Sequence, residues 1–137
     1  MSVTSKYYNV LAFIFSKDLS QVLLQKVQEK IDGFYYQSKE IELSNVDISK
    51  QIFKETNIEI KPANWRLLIS LQNIEKIWRT DILMTIADIE KIQNNEKNII
   101  ISMNKLPNNC HPNLYWLLPL AIDPSIHPSI YNQILMK

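Results

Sequence analysis

The stretch Ser44–Thr56, SNVDISKQIFKET, concentrates side chains that could do chemistry: Asp47, Lys50, Gln51, Lys54 and Glu55. Lys50 and Lys54 stand four apart, so on a helix they share a face and could meet phosphate groups as point charges. The plainer expectation is a solvated helix face, with Gln51 and Glu55 paired at i,i+4 and the two lysines repelling each other. Other candidates carry less. Cys110 is the only cysteine, and His111 beside it in sequence is poorly placed to activate it, so an ordinary loop thiol is expected. His111 and His127 show no zinc-ligand spacing with Cys110 or with each other. Trp65, Trp78 and Trp116 are expected in a core, with Trp78 kept as a candidate to stack on a ligand.

The elements that would position these residues follow from patterning. At 137 residues the chain is read as a single domain, 1–137, able to bury a sizeable core. It is 46% hydrophobic and 21% charged, with a net charge of +1. No global field therefore favours nucleic acid or an anionic membrane. No apolar run reaches the roughly 20 residues of a membrane span. The start, MSVTSKYYNV, does not read as a signal peptide. One cysteine excludes an intramolecular disulfide, and a cytoplasmic setting is expected. Gly33 is the only glycine, so glycine-rich phosphate loops cannot be written here. A phosphate site would need side chains, a metal or a helix N-terminus.

Tyr7–Phe15 reads as a buried strand, and Gln21–Gln28 as the strand returning to form a hairpin with it. Ile31–Glu42 is mixed. Ser44–Thr56 is the clearest helix: Ser44 and Asp47 suit a capping box, and Ile48, Ile52 and Phe53 give one apolar face. Asn57 suits a left-handed helix end. Ile58–Leu71, Ile77–Ala87 and Ile99–Met103 read as strands, with a short polar segment at Asp88–Asn95. Pro112–Ile122 reads as a short apolar helix, and a last helical turn is expected through Ile130 and Ile134. Strands, helix, strands, helix suggests an α+β fold, a mixed β-sheet packed between helices.

This order resembles the Nudix (MutT-like) fold, an α-β-α sandwich whose members hydrolyse nucleoside diphosphates linked to another moiety, using Mg²⁺ or Mn²⁺. The family's box runs Gly, five residues, Glu, seven residues, then Arg-Glu-aliphatic-any-Glu-Glu-any-Gly-aliphatic. Lys50–Ile58 is similar to the last part by spacing. Lys50 falls on the Arg, Gln51 and Lys54 on two of the Glu positions, Glu55 on the last Glu, and Asn57 on the Gly. By the same ruler Glu42 falls on the isolated Glu and Tyr36 on the first Gly. YNVLAFIFSKDLSQVLLQKV resembles the family's opening hairpin, and LPNNCHPNLYWLLPLAID its C-terminal end. The likeness implies that Asn113 could read a purine base, and helix capping is the competing role for it.

The resemblance implies catalytic positions at Glu55, Gln51 and Lys54, a metal held by Glu55 and Glu42, and ligand contacts from Lys50, Asn113 and Trp78. It also implies Mg²⁺ or Mn²⁺ as cofactor if the protein is active, and none otherwise. The substitutions work against hydrolysis. Gln51 loses a charge and Lys54 reverses one, at roughly 4 kcal/mol per unit charge for about 4 Å and an effective dielectric near 20. The first expectation is a nucleotide- or dinucleotide-binding Nudix-like domain, bound between the box helix and the C-terminal segment, with hydrolysis weakened or lost. One alternative is an active pyrophosphohydrolase with a rearranged metal site, using Glu42 and Glu55 with Glu40 or Glu59. The other is a scaffold for protein contacts. A homodimer is a further expectation by analogy; membrane and nucleic acid are not expected partners.

Overall fold

The computed structural model describes residues 7–75, 77–90, 92 and 96–123. Its elements are β1 (Tyr7–Phe15), β2 (Gln21–Val27), β3 (Lys30–Asp32), β4 (Phe34–Lys39), α1 (Asn45–Thr56), a 3-10 turn (Pro62–Asn64), β5 (Arg66–Gln72), β6 (Trp78–Ile86), β7 (Asn98–Ser102) and α2 (Leu114–Ala121). The final turn expected through Ile130 and Ile134 lies outside the described residues. Among those residues no helix is long and apolar enough to cross a membrane.

The chain forms two compact units. The first combines Met1–Phe13 with Phe34–Thr85. Here β4 pairs antiparallel with β1, from Tyr7↔Lys39 to Ala12↔Phe34. β5 pairs antiparallel with β6, with an irregularity between Leu67 and Ile69. The burial of β1 explains its sequence: every residue from Tyr8 to Phe15 is buried, so the continuous apolar run Val10–Phe15 replaces the alternation of a half-exposed strand, with Asn9 a buried polar exception.

α1 is built as its sequence suggests. Ser44 accepts from the Asp47 N–H, and the Asp47 carboxylate takes the Ser44 N–H in return. Asn57 ends the helix at φ 62°, its N–H returning to the Phe53 carbonyl. Ile48, Ser49 and Ile52 are buried, but Phe53 is 50% exposed, so it does not belong to the apolar face expected of it. The Trp65 indole N–H donates to the buried Ser49 hydroxyl at 2.9 Å, tying the helix to the 3-10 turn.

The second unit combines Ile14–Gly33 with Ile86–Lys137. The expected hairpin is brief: only Ile14↔Leu23 and Phe15↔Val22 join β1 to β2. On its other edge β2 pairs more extensively with β7, from Gln21↔Ser102 to Gln25↔Asn98. Val22 and Leu23 pair with β1 and β7 at once, so the brief hairpin and the longer pairing coexist. The turn before β2 is closed by the Asp18 carboxylate, which accepts from the Ser16 and Ser20 hydroxyls and from the Ser20 N–H. The helix expected from Pro112 begins at Leu114.

With so little glycine, left-handed backbone falls on other residues: Leu19, Gln28, Glu29, Glu40 and Asn57. Gln28 and Glu29 form the two-residue turn between Val27 and Lys30, with φ of 52° and 68°. Such hairpin turns favour Asn-Gly because both central residues need positive φ. Gln28→Asn with Glu29→Gly should therefore raise stability by about 1 kcal/mol, read as a higher denaturant midpoint at unchanged slope. The Lys26–Glu29 ion pair lost in that variant is exposed and contributes little.

Candidate functional site

In the first unit, strand register puts several polar side chains on one face of the strands. Direct antiparallel partners share a face. Tyr36 thus sits with Val10 and Ser38 with Tyr8. On the other strand pair, Ser70 sits with Asp81 and Gln72 with Arg79. Helix α1 presents its residues by its own period of about 100° per residue. Ile48, Ser49 and Ile52 turn inward. Gln51 and Glu55 then fall on one flank, Val46 and Phe53 on the other, and Lys50 and Lys54 on the ridge between them.

Two contacts define the Glu55 side. The Tyr36 hydroxyl donates to the Glu55 carboxylate at 2.7 Å. Burial raises the Tyr36 phenol well above the ordinary tyrosine range, and the Glu55 hydrogen bond and charge add to that. Tyr36 therefore stays protonated and remains a donor. Glu42 is held elsewhere: the Arg79 guanidinium donates to it and also to Asp81, the latter at 3.1 Å. Partial burial lowers Arg79, but Glu42 and Asp81 more than offset this and hold it above its ordinary value. The guanidinium lies 5.0 Å from the Tyr8 ring centre, and the Ser70 hydroxyl completes the group by donating to Asp81 at 2.7 Å.

The other flank of α1 borders a groove of about 490 Å³. Val46, Phe53, Ile60 and Pro62 give it apolar walls, and Lys50 and Glu59 bring opposite charges to it.

The remaining candidates divide as follows. Gln51, Lys50 and Lys54 are exposed on α1. Trp65 is core, as expected, whereas Trp78 and Trp116 are 39% and 45% exposed and correct that expectation. In the second unit Asn113 stands at the N-cap of α2, but its side chain makes no cap bond. Its oxygen instead accepts the Trp116 indole N–H at 3.2 Å. Cys110 is buried, and burial followed by the nearby Asp32 charge pushes its thiol up, which suits an unreactive thiol.

A Mg²⁺ or Mn²⁺ ion needs several hard, preferably anionic oxygens converging on one point. Around Glu55 the donors do not fit such an ion. Glu55 accepts the Tyr36 hydroxyl, Glu42 belongs to Arg79, and the adjacent positions bring an amide and an ammonium. Glu59 lies on the groove side. Among the described residues no three His, Cys, Asp or Glu side chains are grouped to hold a metal.

The sequence had marked Tyr36 only as the residue standing where a glycine belongs. Its reach across 19 positions to Glu55 is a tertiary fact. Arg79 and Asp81 were missed altogether, although their spacing of two on a strand places them on one face.

No family model matches this sequence, and no curated protein matches it as a relative. Solved structures do resemble it. DR0079 from Deinococcus radiodurans superposes with a TM-score of 0.63 at 14% identity, covering 89% of this chain and 86% of that one. A MutT/nudix family protein from Enterococcus faecalis gives 0.51 at 12% identity, covering 74% of this chain and 45% of that one. The likeness is one of fold: the chain has a Nudix-like α+β fold, a mixed sheet with two helices.

Proposed function

We propose that the protein is a Nudix-like domain that binds a nucleotide or nucleoside-diphosphate-type ligand, with metal-dependent hydrolysis weakened or lost. The observation that supports this reading is how the side chains at the box-like positions are held. The acids among them, Glu42 and Glu55, are held by Arg79 and Tyr36, while Lys50 and Lys54 stand exposed on the helix ridge. Ammonium groups attract phosphate oxygens directly, so affinity for a diphosphate does not require a bridging cation. The apolar groove beside Lys50 gives a base or similar ring a place to lie.

A thermal-shift screen with nucleoside mono-, di- and triphosphates and dinucleotides, with and without Mg²⁺, tests the reading. A ligand at about 100 times its Kd should stabilise the fold by roughly 2.7 kcal/mol. The expected result is a rise in melting temperature that is independent of Mg²⁺ and lost in Lys50→Ala/Lys54→Ala. No shift from any nucleotide would remove the binding proposal. Metal-dependent release of phosphate or nucleotide by the unmodified protein would favour the active pyrophosphohydrolase instead.

A further inference from the structure

We infer that Tyr36 locks the box in its metal-free form: its hydroxyl takes the place of a cation at Glu55, and restoring the missing acids is not enough to re-arm the site while that hydroxyl remains. The inference rests on reading Tyr36, Gln51, Lys54 and Glu55 as the degenerate box. It adds a residue outside the acidic positions that decides whether the site can take a divalent ion.

The argument is one of space and lone pairs. A glycine at position 36 would carry no side chain toward Glu55. The tyrosine instead reaches from the strand to the helix and places its oxygen 2.7 Å from the Glu55 carboxylate. Its ring is on the face it shares with Val10, so the backbone register of β4 aims the side chain there. A hydrogen bond to a carboxylate is among the stronger kinds. A cation would compete with the hydroxyl for that oxygen, and by taking it would leave a half-buried phenol without its acceptor.

The substitutions at Gln51 and Lys54 fit the same picture. They lower the negative charge that a cation would need beside Glu55. Each change alone would weaken a metal site, and together they replace it by a contact that holds β4 to α1.

Calorimetric titration with Mn²⁺ of four full-length proteins tests the lock: the natural sequence, Tyr36→Phe, Gln51→Glu/Lys54→Glu, and the triple variant. Tyr36→Phe removes only the oxygen and keeps the ring. The expected result is that the triple variant binds Mn²⁺ at least roughly tenfold more tightly than the double variant, about the factor set by one charged hydrogen bond. If the double variant binds as tightly as the triple, the lock is overturned while the box reading stands. If the triple binds no Mn²⁺, both are overturned. Circular dichroism of the four proteins establishes that each is folded, and a folded triple variant that binds Mn²⁺ no better than the natural protein overturns the inference.

Discussion

Trp65→Ala will lower the unfolding free energy by about 3–5 kcal/mol, the range for deleting a buried aromatic ring. Trp65 is only 4% exposed, and its indole N–H donates to the Ser49 hydroxyl in the interior. The loss therefore combines a cavity beneath α1 with a buried hydroxyl deprived of its donor. The two parts separate experimentally. Trp65→Phe keeps much of the apolar contact, so its cost should come largely from the lost hydrogen bond, about 1–3 kcal/mol. Adding Ser49→Ala to Trp65→Phe should recover part of that cost, since no unpaired hydroxyl then remains. Denaturant unfolding followed by circular dichroism measures all three. A Trp65→Ala loss below about 1 kcal/mol would mean that the tryptophan does not anchor the helix.

Two adjacent residues of the same helix should behave in opposite ways. Ile52 is fully buried, and Ile52→Ala should destabilise by about 2–5 kcal/mol. Phe53 is 50% exposed, and Phe53→Ala should fall within about 0.5 kcal/mol of the natural protein. Calorimetric melting distinguishes them, with a drop on the order of 10 °C expected for the first and little change for the second. Equal effects would mean that α1 is rotated about its axis from the orientation described. Phe53 also lines the groove beside Lys50, so the variant that spares stability is the one to test for lost ligand binding.

Three kinds of pattern made most of the elements legible in sequence. The aromatic and aliphatic run Tyr7–Phe15 coincides with β1 to the residue. Ser44, Asp47 and Asn57 set both ends of α1, because capping and left-handed termination depend on side chains close in sequence. The order of strands and helices carried the resemblance that the solved structures bear out for the fold.

Pairing was less legible. Two strands close in sequence suggested a hairpin, yet β2 pairs mainly with β7, and β1 gives most of its length to β4. Strand partners are chosen by the core that their side chains complete, which spacing along the chain does not encode. The same reason placed Phe53 and Trp78 wrongly, since hydrophobicity shows that a residue can be buried and not whether a neighbour covers it.

The candidate site divides along the same line. By itself the sequence determined that Ser44–Thr56 is a helix able to present Lys50, Gln51, Lys54 and Glu55. Only the tertiary structure decided what Glu42 and Glu55 do. Tyr36 reaches Glu55, and Arg79 takes Glu42 while resting on Tyr8 and Asp81. These partners are 19 and 37 positions apart, and side-chain hydrogen bonds at such separations exist only once strand register and helix packing have fixed the backbone.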